Sequence, residues 1–529
     1  MRCVTAAEMR EMDRLTIEER GVAGLTLMER AGAEASRVAE EMLGPAHARV
    51  AVLCGRGNNG GDGFVIARLL AAAGHAVRVL LAAPKEEIAG DAALALERMT
   101  AAGPDAVPVG EVDLATVLAE SELVVDALLG TGTSGEIREP YRGLIEAINA
   151  TARSVLAVDM PSGLHSDTGA PLGCAVLADV TVTFGLPKIG LLQYPGVTHA
   201  GRVVVGDIGI PEDILARAAA FMTEPADVAK LLPARRPEAH KGDAGRVLVI
   251  GGSPGLSGAP VLAARAACRA GAGLVTVAAP RTVCGSIEAR TLESMTLPLD
   301  GSDGVLGEAD LAPILEWLAR TGGRVVLAIG PGLGRSPDTL ATVCRLLAES
   351  EPPAVVDADG LYALAEGPVE RRGELVLTPH PGEMAALMSP PPALGGRARE
   401  GGQTGMSAAD IQSDRVGWAR RAAEAYAATV VLKGARSVIA SPDGRLAINP
   451  TGHPGMASGG MGDVLTGIVA ALMAQGLGGF EAATAGAYLH GYAAELAAER
   501  LGGEIGIVAG DLIDELPRAR AQLSATTRG

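Results

Sequence analysis

Short apolar runs of about five residues alternate with longer stretches whose apolar positions recur at helical spacing, and this alternation runs through the chain twice. In the first half, Arg49–Cys54, Val77–Leu81, Leu123–Leu128, Val155–Asp159, Val180–Phe184 and Arg202–Asp207 read as strands. Residues 5–42 read as helices, with Thr5 and Glu8 forming one capping box and Thr26 and Glu29 another. Strands separated by helical segments predict an α/β fold, a mostly parallel, doubly wound sheet with helices on both faces. Between Pro211 and His240 the pattern weakens: Glu224-Pro225, Leu232-Pro233 and Arg235-Arg236-Pro237 suit a linker. The expected organisation is therefore a domain over 1–220, a linker over 221–240 and a second domain over 241–529. In that second domain Lys241–Ser253 restarts the strand-to-glycine-turn pattern, and Ala259–Ala270 reads as a helix. Further strands are expected at Leu274–Ala278, Val325–Ile329, Ala354–Asp357, Leu375–Thr378, Val430–Leu432 and Ser437–Ala440. The halves share this βα style without a residue-level repeat.

Length supports two domains, since 529 residues exceed one ordinary core. With 48% apolar but only 2% aromatic residues, the cores must be built from Ala, Val, Leu and Ile. A net charge of −17 argues against a nucleic-acid surface or an anionic membrane as partner. Six scattered cysteines, with no C-x-x-C or Cys/His cluster, point to a reducing compartment without disulfides or zinc. Without a signal core or a run of about 20 apolar residues, a soluble cytoplasmic protein is expected. The Ala-rich face Ala482–Ala498 fits an interior helix or a homo-oligomer contact equally well.

Three strand ends of the first half carry polar residues, where open α/β sheets bind ligands. They are Gly55-Arg-Gly-Asn-Asn-Gly-Gly-Asp-Gly63; Asp126 with Gly130-Thr-Gly-Thr-Ser-Gly-Glu136; and Asp159-Met-Pro-Ser-Gly163, followed by Lys188. Any one could be a turn whose Asp or Ser caps a helix, and for Asp126 alone that is the better reading. Together they form a cleft rich in amides and hydroxyls that packing alone does not require. Lys188, as a loop lysine, reads as a solvated charge.

In the second half the glycine-bearing stretches are Gly330-Pro-Gly-Leu-Gly334, Asp357-Ala-Asp359-Gly360, Thr378-Pro-His-Pro-Gly-Glu383, Lys433-Gly-Ala-Arg-Ser437 and Gly459-Gly460-Met461-Gly462-Asp463. The last is a glycine loop opening into a helix, whose first unpaired amides suit an anion. Asp463 among them is placed as a base facing a phosphate, although on spacing alone it reads as an N-cap. His380 sits between two prolines, where it could be merely exposed, and Glu383 could cap the next helix or order a nucleotide site. His453 is undecided; His47, His75, His165, His199, His240 and His490 read as surface or structural. Tyr488, His490 and Tyr492 at helical spacing read as packing.

These motifs resemble two known families. N-N-G-G-D-G followed by V-D-x-P-S-G resembles the NAD(P)H-hydrate epimerase domain, over roughly 1–215. G-P-G-L-G, D-A-D-G, T-P-H-P-G-E, K-G and G-G-M-G-D resemble the ADP/ATP-dependent NAD(P)H-hydrate dehydratases of the ribokinase-like superfamily, over roughly 235–518. The resemblance implies a Rossmann-like first domain and a ribokinase-like α/β second domain. It implies that Asn58, Asn59, Gly60, Gly61 and Asp62, with Gly130, Thr131, Gly132, Thr133, Ser134, Gly135 and Glu136, cradle dinucleotide phosphates. Tyr141 would pack near the ligand and Asp159 would touch the hydrated ring as catalytic acid–base. Asn59, Asp126 and Ser162 would supply oxygens to a potassium ion, a sensible set for a hard cation. In the second domain Ala272, Gly332, His380 and Asp463 would contact the hydrate, with Asp463 as catalytic base. Lys433, Gly434, Ala435, Arg436, Ser437 and Gly462 would hold ADP or ATP, of which the resemblance suggests ADP, with a magnesium ion on the phosphates. Residues 389–407 depart from the family pattern and read as an inserted flexible loop without site residues.

The implied function is repair of hydrated NADH and NADPH (NADHX and NADPHX). The first domain epimerises the R and S hydrates, and the second dehydrates the S hydrate with release of phosphate. Two alternatives stand beside it: a ribokinase-type small-molecule kinase with a regulatory first domain, and a nucleotide-sensing scaffold. The kinase would leave a stable phosphorylated product. Retention of Asp159, Asn59 and Asp126 weighs against the scaffold.

Overall fold

The computed structural model describes residues 1–301, 304–365, 367–389 and 405–525. These fall into two units, Arg2–Phe221 and Met222–Gly529 with Met1. Residues 390–404, most of the expected inserted loop, lie outside the described residues.

In the first unit the strands are β1 (Arg2–Cys3), β2 (Arg49–Cys54), β3 (Ala76–Leu81), β4 (Ala106–Pro108), β5 (Leu123–Ala127), β6 (Ser154–Val158), β7 (Val180–Phe184), β8 (Arg202–Gly206) and β9 (Ala220–Met222). Seven of them form one sheet in the order β4-β3-β2-β5-β6-β7-β8, and every pair in it is parallel. β1 instead pairs antiparallel with β9. Alternate residues of the central strands feed two cores. Val50, Val52, Leu123 and Val125 belong to one; Ala51, Leu53, Val124 and Val155 belong to the other. Both sheet faces are thus buried, as parallel sheets require, and this explains why the strands read as continuous apolar runs. The order reverses direction between β2 and β5, so their C-terminal ends border a crevice.

Thr5 and Glu8 form the expected capping box on helix Ala6–Glu18. Thr26 does not cap: its helix runs Gly24–Leu43 from Ala23, so Thr26 lies in the first turn, its N–H reaching Ala23 O at 2.8 Å. Asn58–Gly63, expected as a turn, forms the start of helix Asn58–Ala72.

The second unit contains β10 (Arg246–Ile250), β11 (Leu274–Pro280), β12 (Met295–Leu299), β13 (Val325–Ile329), β14 (Ala354–Val356), β15 (Leu375–Leu377), β16 (Thr429–Leu432), β17 (Val438–Ala440) and β18 (Leu446–Ile448). They run β18-β17-β16-β15-β14-β13-β10-β11-β12. Pairing is parallel from β12 to β16 and antiparallel across β16-β17-β18. Strands without a clear apolar run, β4, β12 and β18, are short or partly exposed, and two of them contain proline. Helices Gly258–Ala270 and Met461–Ala474 approach so closely that a Cβ on Gly467 would lie 2.1 Å from Ala263 O. Helix Gly479–Leu501 buries Ala482–Ala498 almost entirely inside the unit, so its alanine face serves the core. The segment expected as a linker holds helix Pro225–Leu231, started by proline at its first position, where the missing N–H costs nothing.

Candidate active sites

In the first unit a cavity of about 580 Å³ opens at the β2/β5 crevice, bordered by Asn58, Asn59, Asp62, Leu128–Thr133, Tyr141, Asp159 and Lys188 among others. Three chain segments expected from the sequence therefore meet there, but not every residue in them does. Gly60 and Gly61 turn towards protein: added Cβ atoms would strike Gly55 O at 1.9 Å and Met28 Cε at 2.6 Å. Their glycines serve close packing of the helix, and Gly61 N–H is already bonded to Gly57 O at 3.1 Å. The free amides at the helix start are those of its first residues. Ser134, Gly135 and Glu136 do not border the cavity; Glu136 pairs with Arg142 at 3.0 Å.

Asp159 follows β6 with φ at 64°, a left-handed conformation costly for a residue with a side chain. Its N–H donates to Val182 O at 2.7 Å. The carboxylate accepts from Thr183 Oγ1 at 3.2 Å and from Lys188 Nζ. Lys188 overturns the expectation of a solvated loop lysine. It is 2% exposed, and its ammonium also reaches Thr183 Oγ1 at 3.1 Å and Phe184 O at 3.2 Å. A buried lysine survives here because its donors are all satisfied. Burial raises the Asp62 carboxyl well above its ordinary value, reinforced by Asp159.

Asn59, Asp126 and Ser162 converge around Leu129. Asn59 Nδ2 donates to Leu129 O at 3.1 Å, Leu129 N–H donates to Ser162 Oγ at 2.9 Å, and Ser162 N–H donates to Asp126 Oδ2 at 2.8 Å. Asn59 Oδ1 is buried with no hydrogen-bond partner. Burial lifts the Asp126 carboxyl to about 6 against the bonds from Ser162 and Leu128.

In the second unit Asp357 follows β14, His380 follows β15, Lys433 follows β16, and Gly330–Gly334 follow β13. Asp357 is 1% exposed; it accepts from Lys433 Nζ at 2.6 Å and from Thr466 Oγ1 at 2.7 Å. Glu383 approaches the same ammonium at 3.5 Å. Despite burial, Lys433 and the Thr466 and Thr378 hydroxyls hold Asp357 below the ordinary carboxylate range. Glu383 meets the capping reading, since it closes a capping box with His380, whose N–H it accepts at 2.7 Å. The His380 ring stays half exposed.

Gly460, left-handed at φ 89°, is the N-cap of helix Met461–Ala474. Asp463 is thus the third helical residue and not the cap, just before Val464, whose N–H closes the first turn on Gly460 O at 3.2 Å. A Cβ on Gly462 would lie 3.2 Å from Lys433 Nζ and 3.4 Å from Asp357 Oδ2, so the glycine turn rests directly on that ion pair. Burial pushes the Asp463 carboxyl up to about 7, with Asp357 adding and Lys433 opposing. His490 is buried and accepts no solvent role: its Nε2 bonds Met461 O at 2.9 Å, and burial lowers it to about 4. It braces the first turn of the glycine helix, which makes it the structural histidine of the two sequence alternatives. His453 braces Gly455 N–H at 3.2 Å. Ser437 Oγ donates to Gly434 O at 2.9 Å, which closes the Lys433–Ser437 turn. Ala272 and Gly332 both lie in turns that follow secondary structure, Gly332 at φ 66°.

No described helix is long and apolar enough to cross a membrane. Cys54, Cys174, Cys268 and Cys284 are free thiols.

Comparison with known proteins shows what each unit is similar to. The family model for NAD(P)H-hydrate dehydratase matches residues 247–518, and that for the YjeF-related protein N-terminus matches 24–190. A bifunctional NAD(P)H-hydrate repair enzyme Nnr of Moorella thermoacetica is 46% identical, covering 98% of this chain and 96% of its own. Its namesake in Salinibacter ruber is 41% identical over 98% and 96%. Among solved structures, an ADP/ATP-dependent NAD(P)H-hydrate dehydratase from Bacillus subtilis, co-crystallized with ATP and magnesium, is 30% identical. It covers 57% of this chain and 98% of its own, with a TM-score of 0.47.

Proposed function

The chain belongs to the family of bifunctional NAD(P)H-hydrate repair enzymes, and from that premise we propose how its two sites divide the work. The chain is an epimerase and a nucleotide-dependent dehydratase of hydrated NADH and NADPH. The kinase and scaffold alternatives fall with this family membership. The observation that carries the division of labour is that each unit holds its own buried lysine–carboxylate pair, beside a cavity in the first and against the Gly462 turn in the second.

In the first unit Asp159 works on the hydroxyl of the hydrated ring while Lys188 holds its carboxylate in position. The hydroxyl proton leaves as the carbon–nitrogen bond of the hemiaminal opens, and reclosure on either face yields R or S. Asn59, Asp126 and Ser162 fit a potassium ion, because Asn59 Oδ1 is a buried acceptor lacking a donor and the set is all oxygen. The ion would supply fixed positive charge next to the phosphate-binding amides. Asn58, Gly130–Thr133 and Tyr141 hold the dinucleotide.

In the second unit the Asp463 carboxylate takes the proton from the S hydrate's hydroxyl, whose oxygen then attacks the terminal phosphoryl group of ADP or ATP. Amides of the glycine turn hold that group, since positioning and electrostatics dominate phosphoryl transfer. The new phosphate ester departs as inorganic phosphate as the neighbouring C–H proton is lost, restoring the ring double bond. Ala272, Gly332 and His380 face the hydrate, while Gly434–Ser437 and Gly462 hold the nucleotide. The Lys433 ammonium acts inward, on Asp357 and Asp463. A magnesium ion would ride on the nucleotide phosphates and neutralise their charge. The free thiols support work in the reducing cytoplasm.

The test is recovery of reduced-nicotinamide absorbance from mixed-epimer NADPH hydrate with magnesium and ADP or ATP. Full conversion of both epimers is expected with one nucleotide. No recovery with either nucleotide sinks the assignment. Epimerisation that runs unchanged when tetramethylammonium replaces potassium removes that ion from the scheme.

A further inference from the structure

Helix Ala6–Glu18 presents Met9, Asp13 and Ile17, spaced one turn apart, to the cavity that Asp159 and Lys188 border. The helix is clamped in that position. Val4 N–H donates to Pro187 O at 3.0 Å and Ile189 N–H to Val4 O at 2.9 Å, so the residues flanking Lys188 are tied to the helix start. Ala6 N–H donates to the Asp167 carboxylate at 2.7 Å, which fixes the first turn. Asp13 is half-buried on the side of the helix that otherwise buries Met9, Met12 and Thr16. An acid there would ordinarily have a partner. Asp159 has Lys188 and Thr183, whereas Asp13 has neither a hydrogen bond nor an ion pair among the described residues. The charged groups facing it are Asp159 after β6, Lys188 after β7, Asp62 on helix Asn58–Ala72 and Arg10 on its own helix; Arg56 and Asp91 border the same cavity.

We propose that Asp13 is a second catalytic residue of the first unit, the acid that serves the ring nitrogen while Asp159 serves the hydroxyl. The proposal rests on the epimerase reading and assigns a residue to it. Opening the hemiaminal moves two protons. The hydroxyl proton goes to Asp159, the oxygen's electrons form the carbonyl, and the carbon–nitrogen pair passes to nitrogen, which takes the proton of the Asp13 carboxyl. After the carbonyl turns, nitrogen attacks its other face; the N–H proton returns to Asp13 and the proton on Asp159 returns to oxygen. Both carboxyls end as they began, and no other reactant is needed. Burial lifts the Asp13 carboxyl to about 6, opposed by Lys188 and reinforced by Asp159, so it can carry a proton near neutral pH.

The test follows conversion of purified R hydrate to S without nucleotide, by chromatographic separation, in the full chain and its Asp13→Asn and Asp13→Glu variants across the neutral pH range. An acid works only while protonated, so the wild-type kcat falls as pH rises above about 6. Asp13→Asn is expected to lower kcat at least about 100-fold with KM within about threefold, and to lack that falling limb. Asp13→Glu is expected to restore at least about a tenth of the rate, with the limb returned. An Asp13→Asn rate within about threefold of wild type, or a large loss with the limb intact, overturns the proposal. Wild-type protein that does not interconvert the epimers overturns the epimerase reading itself, a distinguishable result.

Discussion

Both units bury a lysine against an aspartate at the C-terminal ends of parallel strands, yet they use the pair differently. In the first, Lys188 grips Asp159, and Asp159 is itself the residue we propose to act on the reacting ring. In the second, Lys433 grips Asp357, which stands one step back, and the carboxylate we propose as the base is Asp463 on the glycine helix. The first arrangement orients a base through direct contact. The second adjusts, through charges beneath it, the proton affinity of a base that burial has already raised. The lesson is that a buried ion pair is not by itself the catalytic group; what decides is which carboxylate reaches the opening.

The sharpest way to break this comparison is to neutralise the working base in each unit of the full chain. Asp463→Asn is expected to lower dehydration of the S hydrate by up to about 10⁴-fold while R/S exchange continues at its wild-type rate. Asp159→Asn is expected to slow exchange by at least about 10²-fold while leaving dehydration of purified S hydrate intact. Both rates are read in one assay, from absorbance recovery and from the epimer ratio. If either variant lost both activities equally, the assignment of one base to each unit would fail.

A smaller effect separates the two lysines by stability. Removing Lys433 leaves Asp357, which is 1% exposed, facing Glu383 and Asp463 without a cation. Breaking a buried pair from one side costs about 3–5 kcal/mol. Removing Lys188 leaves Asp159, which is 15% exposed and borders a cavity that water can enter. Its unpaired carboxylate costs about 1–3 kcal/mol. Lys433→Met is therefore expected to destabilise its unit more than Lys188→Met, as read from hydrogen exchange in the peptides of each unit. Equal losses would mean that the neighbouring carboxylates add nothing to the cost.

What could be read in the sequence follows from the same physics. The central strands were legible because both of their faces are buried, which leaves an uninterrupted apolar run. The edge strand β12 was not: it contains Pro298 and exposes Met295. The Thr26 box failed because a short capping motif cannot say where the previous loop ends. Asp159 and Asp463 could be found as polar residues at strand ends and glycine turns. Lys188 could not be told from a surface lysine, because its partner lies 29 positions away and is supplied by the fold. The only local hint was its place just after a strand, next to proline. Asp13 had a weak signal, a lone acid on the apolar side of the first helix.

The smallest effect tests whether Asp357 works through Asp463 and not on substrate. The Asp463 carboxyl is pushed up to about 7, by burial first and Asp357 second. As a base it works only when ionised, so dehydration should rise with pH through about 7 and then level. Asp357→Asn removes a negative charge that raises Asp463 and frees Lys433, which lowers it. Both changes favour the ionised form, and the rising limb should move to lower pH by about one unit. At pH values below the wild-type midpoint, the variant should then keep roughly fivefold more of its own plateau rate than wild type keeps. Glu383 and Asp359 still oppose the shift, since both also raise Asp463, so the limb should not reach the ordinary carboxylate range. A limb that stays put while the plateau falls would make Asp357 a contact for substrate or nucleotide. The second unit would then resemble the first, with the lysine-paired aspartate at the centre of its chemistry.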